Sequence, residues 1–470
     1  MANLKDIGYG VGKYLTASDA SDIPDIGTNR KNLDLLNFKI ATNNAYALYN
    51  FKDGMIDAYQ TEAGVDTGTS TNETYDSSGK YYSGSAAANA TGGTVTSHGS
   101  YTVNTFLTSS NFIVPGGSAN VAVLVVGGGG GGGGFGGGGG AGGFRTSASH
   151  AVTAQTYAIT VGDGGTAGIF GAGTPQGVAG QGGDSIFDTI TSAGGGKGSG
   201  PGNRTGYAGG SGSGGADGYA GGAGNTPSTS PVQGYAGGGA GFNVGGGGGG
   251  AANVGYSGTQ NTTGGPGGGG SSNDYRTGSA VYYSGGGGGG TTAAPANWGG
   301  NGGAGPGSPA GGGPGNMTQS GTASPGTANT GGGGGGGGYS NGGAGGSGIV
   351  VIRYTTNTFT SYVDMTLVSN AQTANAVPTE GRLMIYEETS TGSTTLDTDL
   401  KGYVSRDGGT TYTQTPLTLD TTYETGKTLV SGSVDISGQP SGTNMKYKIE
   451  TLNQSASKVC RLHGASLLWA

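Results

Sequence analysis

The chain has 470 residues, of which 116 are glycine, and only 32% are hydrophobic and 10% charged. Glycine normally makes up about 7% of a protein, so this composition excludes both a single large apolar core and a charge-rich disordered chain. With 20 basic against 27 acidic residues and a formal charge of −7, the surface would repel a phosphate backbone, and no nucleic-acid partner is expected.

Cysteine and histidine are too sparse to predict a metal site. Cys460 is the only cysteine, which excludes an intrachain disulfide framework, and His98, His150 and His463 lie far apart in sequence. The N-terminal residues carry no signal-peptide pattern. The longest apolar run, Val121–Val126, is much shorter than the roughly 20 residues that a membrane span needs. We therefore expect no metal, no cofactor and no membrane insertion.

The first predicted domain, residues 1–60, is an arm followed by an amphipathic helix. Residues 1–28 are predicted to be extended, and a helix is predicted from the cap residue Asn29 to Tyr59. Apolar residues recur there at spacings of three, four and seven, which is the spacing of one helix face. This stripe consists of Leu33, Leu36, Ile40, Ala47 and Phe51.

Asn43, in the middle of the predicted helix, lies on or next to the stripe, and Asn44 follows it. A buried Asn layer weakens a helical bundle but fixes its register, which suits a parallel oligomer. No neighbouring segment offers a matching apolar face, so we expect self-association, with a trimer as the favoured state. The alternative is that the helix packs on its own chain and both asparagines are solvated. The predicted oligomerisation residues are Leu33, Leu36, Ile40, Asn43, Ala47 and Phe51.

Residues 61–92 are rich in Thr, Ser, Asn, Asp and Gly, and they predict a loop-rich connector. The pattern then changes to a period of two: "SYTVNTFLTSSNFIVPGGSANVAVLVV" alternates apolar and polar residues around two turn signals. This alternation predicts several antiparallel strands that lead directly into the first glycine run.

Runs of nearly pure glycine follow, interrupted by segments rich in Tyr, Asn, Thr, Ser and Pro. Aperiodic glycine-rich composition usually indicates a disordered linker, and collagen is excluded because there is no Gly-X-Y period. These runs, however, are almost free of serine, have similar lengths and are bracketed by apolar strands. Phe135, which interrupts the first run, predicts a bundle end or a bend. The runs are 127–134, 136–140, 245–250, 267–270, 285–290 and 331–338.

The physical alternative to a linker is a block of polyglycine helices packed side by side. Polyglycine shares the left-handed, three-residue helix of polyproline II, which rises about 3.1 Å per residue and has no internal hydrogen bonds. Packed helices can satisfy one another's N–H and C=O groups, and only glycine allows that close approach. Because glycine loses so much freedom on folding, the runs should fold as one block. We favour this packed block over the linker.

Four segments in order carry a family resemblance: "VLVVGGGGGG", "YAITVGDGG", "GQGGDSIF" and "GSGIVVIRY". Together with the glycine runs they resemble the glycine-rich domain of tail-fibre and other virion proteins of tailed bacteriophages. The polyglycine part is similar in kind to the tip adhesins of T-even-like phages, and this implies that bundled glycine helices carry loops that contact a host receptor. The resemblance covers about residues 93–354. It departs from the adhesin pattern in order, because here a further domain follows the block.

Residues 355–470 return to ordinary composition with short alternating strands, which predict a C-terminal β-sandwich of jelly-roll type. One stretch fits the Asp-box pattern of sialidase-like propellers, with Tyr in place of Trp. A single copy cannot build a propeller, so we interpret it as a hairpin turn. Its residues are Ser405, Asp407, Gly409, Thr411 and Tyr412.

Catalysis is not expected. Glycosidases need two positioned carboxylates, but the candidates here lie in turn sequences or near exposed loops. There is also no phosphate loop, serine nucleophile elbow or HExxH motif. The carboxylates considered are Asp163, Asp184, Asp188, Glu380, Glu387 and Glu388.

Receptor contact favours aromatic residues with polar neighbours. Two loops concentrate such residues, and the alternative is that their aromatics cap the ends of the glycine bundle. The predicted receptor-binding residues are Asn273, Asp274, Tyr275, Arg276, Tyr282, Tyr283, Asn297 and Trp298.

The sequence thus predicts a mainly β chain with an N-terminal helix, antiparallel strands framing a packed polyglycine domain, and a C-terminal β-sandwich. The resemblance implies a non-enzymatic tail fibre or appendage on the virion, made in the host cytoplasm, that recognises the host surface. Expected partners are further copies of the chain, other virion proteins through the N-terminal region, and a host glycan or outer-membrane protein. Alternatives are a structural role elsewhere on the virion, without receptor contact, and a polysaccharide depolymerase.

Overall fold

The computed structural model describes residues 49–51, 53–171, 179–200, 203–291, 304–305, 308–316 and 322–470. These residues form strands and connecting segments and contain no helix, so the prediction of a mainly β chain is confirmed. They divide into two compact units. The discontinuous unit combines residues 49–86 with Ser361–Ala470, and the continuous unit is Ala87–Thr360.

The described residues form 28 strands, most of them short. Before the glycine region they are β1 (Tyr49–Phe51), β2 (Gly54–Asp57), β3 (Thr74–Asp76), β4 (Tyr81–Ser83), β5 (Ser85–Ala88), β6 (Thr94–His98), β7 (Tyr101–Phe106), β8 (Ser110–Ile113) and β9 (Ser118–Val126). Within it they are β10 (Phe144–Thr153), β11 (Thr156–Thr160), β12 (Ser185–Phe187), β13 (Ile190–Ser192), β14 (Ser271–Asn273), β15 (Val281–Tyr283), β16 (Ala304–Gly305) and β17 (Ser308–Pro309).

The remaining strands follow the glycine region. They are β18 (Ile349–Thr355), β19 (Phe359–Tyr362), β20 (Met365–Val368), β21 (Gln372–Thr373), β22 (Glu380–Thr391), β23 (Leu400–Ser405), β24 (Thr413–Thr415), β25 (Thr418–Glu424), β26 (Lys427–Asp435), β27 (Asn444–Thr451) and β28 (Val459–Trp469).

The predicted N-terminal helix is wrong over the part of it that the structure describes. β1 and β2 pair antiparallel, with Phe51 opposite Gly54. Asp53 has a φ of 63°, the left-handed conformation that a tight hairpin turn uses and a helix does not. β2 also pairs with β28, where Met55 lies opposite Leu467. β2 is therefore hydrogen-bonded to a strand on each side, and this segment forms a strand although its apolar spacing is typical of a helix.

Most of the predicted oligomerisation residues lie outside the described residues: Leu33, Leu36, Ile40, Asn43 and Ala47. Phe51, the sixth, is in β1 rather than on a helix face. No helix long and apolar enough to cross a membrane is found among the residues that the structure describes.

Two antiparallel sheets share one core in the discontinuous unit. The first has the order β1-β2-β28-β22-β26-β25, with β4 pairing both β28 and β3. The second has the order β20-β27-β23-β24, and β21 also pairs with β27. Leu383 and Leu467 from the first sheet belong to the same buried cluster as Tyr447 and Ile449 from the second. The unit is therefore held by side chains packed between two layers.

The Asp-box residues form the connection between β23 and β24, as the sequence predicted. The Ser405 hydroxyl donates to Asp407 Oδ1 at 2.8 Å and accepts the N–H of Gly409 at 2.9 Å. Asp407 Oδ1 also accepts the N–H groups of Thr410 and Thr411, at 3.1 and 2.9 Å. These bonds close the hairpin, so the motif has a structural role here.

β9 and β18, which enclose the glycine region in sequence, are neighbours in a sheet of order β10-β9-β18-β7-β6. Val125 lies opposite Val350 in this pair. A second sheet, of order β13-β12-β11-β8, contributes Phe112 and Phe187 to the buried cluster that holds Ile352 of β18. The two ends of the glycine region are thus joined by paired strands that are buried where they meet the glycine runs.

The run Gly127–Gly134 follows β9, and its N–H groups donate in rotation to three neighbouring runs. Each return to the same neighbour comes three residues later, which is the period of a polyglycine helix. The donor and acceptor pairs are Gly128–Gly183, Gly129–Gly346, Gly130–Gly140, Gly131–Gly180, Gly132–Gly343 and Gly133–Gly137, at 2.8–3.0 Å between N and O.

The carbonyl groups of the same run accept hydrogen bonds from three further neighbours, again in rotation. The run therefore has six neighbours and no unsatisfied backbone between residues 128 and 133. We call the whole set of hydrogen-bonded runs described between residues 127 and 348 the glycine array. The acceptor and donor pairs are Gly128–Gly195, Gly129–Gly165, Gly130–Gly334, Gly131–Gly198, Gly132–Gly168 and Gly133–Gly337, at 2.8–2.9 Å.

Side chains are excluded from the interior of this array by distance. A Cβ atom added to Gly131 would lie 2.0 Å from the carbonyl oxygen of Thr166, and one added to Gly132 would lie 1.9 Å from that of Gly335. Real Cβ contacts are far longer, so the backbones would have to separate. The glycine composition is thus a packing requirement, and the backbone itself forms the core.

Part of the edge of the array is closed by side chains. Asp184 Oδ1 accepts the N–H of Gly194 at 2.8 Å, and Gln181 Oε1 accepts that of Lys197 at 3.2 Å. These two amides are three residues apart, so they face the same side of their run. Gln233 Oε1 accepts the N–H of Ala193 at 2.8 Å. Polar side chains therefore occupy positions that a further run would fill.

Candidate functional site

Three turns that end glycine runs lie next to one another, and we call this place the tip of the array. One turn contains Phe135, one contains Ile169 and Phe170, and one contains Tyr339. The Phe135 turn directly follows Gly127–Gly134, which we call the central run, and the runs that precede the other two turns bond to this run, which sets the turns side by side. The bonds concerned are Gly133–Gly137, Gly168–Gly132 and Gly337–Gly133, at 2.8–2.9 Å between N and O.

The tip carries a cluster of aromatic rings. Tyr339 packs edge-on between two phenylalanines, with ring centroids 5.5 Å from Phe135 and 5.6 Å from Phe170. Phe170 and Tyr339 remain 38% and 39% exposed, and the neighbouring Ile169 is 55% exposed. Large exposed apolar groups held together in this way form a surface that is suited to binding a partner.

Polar side chains fix the backbone around these rings. Asn341 Oδ1 accepts the N–H of Phe170 at 3.0 Å. Arg204 lies 5.8 Å from the ring centre of Phe135 and donates to Asp217. Asp217 in turn accepts the N–H of Asn243 at 3.0 Å. The aromatic cluster is therefore bordered by an ion pair and by amide groups, which gives the tip both stacking and hydrogen-bonding chemistry.

Tyr339, in one of these turns, and three residues of other turns have the left-handed conformation. Tyr339 has a φ of 51°, and Asp217, Asn243 and Asn261 have values of 46°, 59° and 52°. Asn and Asp tolerate this region better than other residues with side chains, whereas a tyrosine there is uncommon. The strained backbone at Tyr339 places its ring between the two phenylalanines.

The predicted receptor-binding residues of the first loop lie in and around the hairpin of β14 and β15. Asn273 Oδ1 accepts the N–H of Tyr275 at 2.9 Å and shapes the turn. Asp274 is exposed, and its carboxylate lies 3.3 Å from the guanidinium of Arg353. Tyr282 is partly buried. The polar residues at the turn are thus accessible.

Two tyrosines of this hairpin take part in packing. Tyr283 is fully buried in a cluster with Val126 and Val351, and burial raises the pKa of its hydroxyl, with Arg276 acting in the opposite direction. The ring of Tyr275 lies 4.3 Å from the guanidinium of Arg353. These rings therefore fasten the hairpin to the sheet.

Asn297 and Trp298, the predicted residues of the second loop, lie outside the described residues. The tip residues Ile169, Phe170 and Tyr339 were not predicted as a site. A signal was present in the sequence: Tyr339 directly follows the run that ends at Gly338, and Ile169 directly follows Gly168. An aromatic or branched residue placed where a glycine run ends marks a turn at the end of the array.

Four of the six carboxylates considered for catalysis have structural partners. Asp184 closes the array edge, and Asp188 lies 2.9 Å from His150 Nε2. Glu387 is buried and accepts the Thr428 hydroxyl, while Glu388 lies 2.9 Å from His463 Nε2. Burial raises the pKa of Glu387. No group of three potential metal ligands occurs among the residues that the structure describes.

Over the residues that the structure describes, the fold and the tip define a mainly β protein built around a hydrogen-bonded array of glycine runs with an aromatic surface at one end of the array. The family model of the glycine-rich domain matches residues 102–355, which is more than half of the chain. This chain therefore belongs to the family of proteins with that glycine-rich domain. A comparison with curated proteins found no match.

Proposed function

We propose that the chain is a structural protein of a tailed-bacteriophage virion, a non-enzymatic tail fibre or appendage that helps the particle to recognise the host surface. The observation that carries this proposal is the tip, where a rigid array holds exposed aromatic rings beside an ion pair. Such a surface suits a sugar ring or an apolar patch of an outer-membrane protein. The sequence resemblance to virion proteins supports the same role.

The array is the scaffold that holds the turns of the tip in place. Each interior run is held by backbone bonds to six neighbours, so the turns between runs can vary while the scaffold stays fixed. Binding residues on loops above a rigid scaffold are a general arrangement for recognition, because the scaffold lowers the ordering cost of binding. The proposed partners are further copies of the chain, other virion proteins and the host surface.

The test uses purified full-length chain and bacteria that the phage infects. A variant with Phe170→Ala and Tyr339→Ala should bind these cells about tenfold more weakly and compete less with infection, because two exposed rings are lost. The matched control is Tyr256→Ala, which removes an exposed tyrosine (56%) away from the three turns of the tip. We expect the control to bind within about twofold of the original chain.

Three outcomes would contradict the proposal. Immunogold labelling on the head of the particle would favour a structural role elsewhere on the virion. Failure of the original chain to bind host cells would remove the receptor role. Release of reducing sugar from host polysaccharide would favour the depolymerase.

A further inference from the structure

Three glycine-rich runs form one outer layer of the array: residues 219–224, 234–241 and 254–258. The middle run donates to the first through Gly237 and Gly222 at 3.0 Å, and it accepts from the third, with Gly255 donating to Ala236 at 2.9 Å. Behind it, Gly238 donates to Gly247 of an interior run at 2.8 Å. The layer is therefore part of the array on one side and faces outward on the other.

Backbone groups on the outward side have no hydrogen-bond partner. Within the part of the chain that the structure describes, four residues of this layer that carry a side chain have an unpaired N–H followed by an unpaired carbonyl on the next residue. The unpaired amides belong to Ala220, Ala236, Val254 and Ser257, and the unpaired carbonyls to Gly221, Gly237, Gly255 and Gly258. Interior runs bond to their neighbours through the same arrangement, an N–H on one residue and a carbonyl on the next.

The interior shows where a side chain at such a position would point. A Cβ on Gly128 would meet Asp163, in the run whose Gly165 donates to the carbonyl of Gly129. A Cβ on Gly130 would meet Gly196, in the run whose Gly198 donates to Gly131. The side-chain direction at any residue is therefore toward the run that bonds to the carbonyl of the next residue.

The same relation holds in the outer layer. The side chains of Ala220, Ala236, Val254 and Ser257 are directed to the places from which further runs would donate to the four unpaired carbonyls. In the interior, such a Cβ would lie 1.8–2.2 Å from a carbonyl of the neighbouring run, for example at Gly130 and Gly133. A further run therefore cannot approach these carbonyls. We call these four residues the closing residues.

We propose that the outer layer is a latent surface for self-association, which the closing residues hold shut. The partner that fits it is a second copy of this chain, because only another glycine run presents donors and acceptors every three residues without side chains between them. Unpaired edges of hydrogen-bonded structures promote association, and side chains that obstruct the edge prevent it.

At Gly239 the surface is not blocked by a side chain. Its N–H is also unpaired, and no side chain stands before the unpaired carbonyl of Ala240. The nearest atom to a Cβ added there is the Ser257 hydroxyl oxygen at 3.7 Å. The middle run therefore already has an open position between the closing residues.

The test replaces all four closing residues with glycine in the full-length chain. We expect this variant to form larger species than the original chain in sedimentation velocity, increasing with concentration, because a second array can then dock. In hydrogen exchange, the amides of Ala236 and Gly239 should exchange fast in the original chain, and residues 236 and 239 should become protected in the variant. The interior amides of Gly130 and Gly131 should stay protected in both.

The matched control carries Val254→Ala and Ser257→Ala, which keep a Cβ at all four positions. We expect it to sediment like the original chain. A glycine variant that keeps the original oligomeric state with a protected interior would overturn the proposal, and so would association of the alanine control. If the glycine variant loses protection of its interior amides, hydrogen exchange of the original chain still tests the proposal. Protected amides at Ala236 and Gly239 in that chain would contradict it, because they would show that these amides are not open to solvent.

Discussion

Leu383 of the discontinuous unit and Gly131 of the glycine array are both completely enclosed, but by different materials. Leu383 packs among side chains from two sheets. Gly131 is surrounded by backbone, and its N–H and C=O groups bond to two different runs. The side-chain core is held by the hydrophobic effect, which is non-directional, and it is weakened when side-chain volume is lost. The backbone core is held by hydrogen bonds, which are directional, and it is disrupted when side-chain volume is added. A smaller side chain should therefore destabilise the discontinuous unit, whereas a larger one should destabilise the continuous unit.

The largest expected effect comes from adding one methyl group inside the array. Gly238→Ala would place a Cβ 2.1 Å from the carbonyl oxygen of Tyr256. We expect the continuous unit to lose about 4 kcal/mol or more of unfolding free energy, above the usual overpacking cost, because backbone rather than a flexible side chain must move. Gly239→Ala, one residue further along, has room and should change stability by less than about 0.5 kcal/mol. Thermal unfolding of both variants measures the contrast, and equal losses would contradict it.

The next effect is a pH dependence of the unfolding free energy of the discontinuous unit. Asp57 is buried, accepts the N–H of Tyr59 at 2.9 Å and has no partner for Oδ2 among the described residues. Burial raises its pKa to about 7 from an ordinary value of 3.8. The folded state therefore keeps a proton that the unfolded chain loses, and unfolding free energy should fall by up to about 4 kcal/mol as pH rises from about 4 to 7.

Denaturant unfolding at several pH values checks this slope, with Asp57→Asn as the comparison. The amide does not ionise, so the variant should lose most of the fall between pH 4 and 7. A slope that is unchanged in the variant would show that another group is responsible.

A smaller effect is expected from removing volume in the side-chain core. Leu383→Ala should cost about 3 kcal/mol, because it removes transfer free energy and leaves a cavity. Leu419, which is 60% exposed on β25, is the matched control, and its replacement by Ala should cost less than about 0.5 kcal/mol. Denaturant unfolding of the discontinuous unit measures both. A cost at Leu383 as small as at Leu419 would mean that this core does not hold the unit.

The smallest effect concerns the edge of the array. Asp184→Ala leaves the N–H of Gly194 without its acceptor and should cost about 1 kcal/mol. Asp163→Ala removes an exposed carboxylate whose backbone, not its side chain, bonds to the array, and it should be close to neutral. Faster hydrogen exchange at Gly194 in the first variant alone would support the capping role, and exchange that is equal in both would contradict it.

The sequence predicted the mainly β chain because the alternation that leads into β9 and the apolar run of β18 are local patterns. It failed at residues 49–57, where the apolar spacing matched a helix face. The decisive contact is the pairing of Met55 with Leu467, more than 400 residues away, which no local pattern contains. Asp53-Gly54 was a local hairpin signal, and it conflicted with the helix prediction.

The candidate site was less predictable than the fold. Tyr283 and Tyr275 have the composition of a binding loop, yet their rings pack on Val126 and Arg353. Phe170 and Tyr339 are separated by about 170 residues, and they meet only because their runs bond to the same central run. Which rings face solvent depends on the order in which runs pack, and composition alone does not contain that order.

The rotation of hydrogen bonds along Gly127–Gly134 has a consequence for how the gene can change length. Deleting one residue from a run would turn every later N–H by a third of a turn, toward a neighbour in the wrong register. Deleting three would shorten the run by about 9 Å and restore the original rotation. Interior runs should therefore tolerate insertions and deletions only in steps of three codons, whereas the turns at the tip can accept any number.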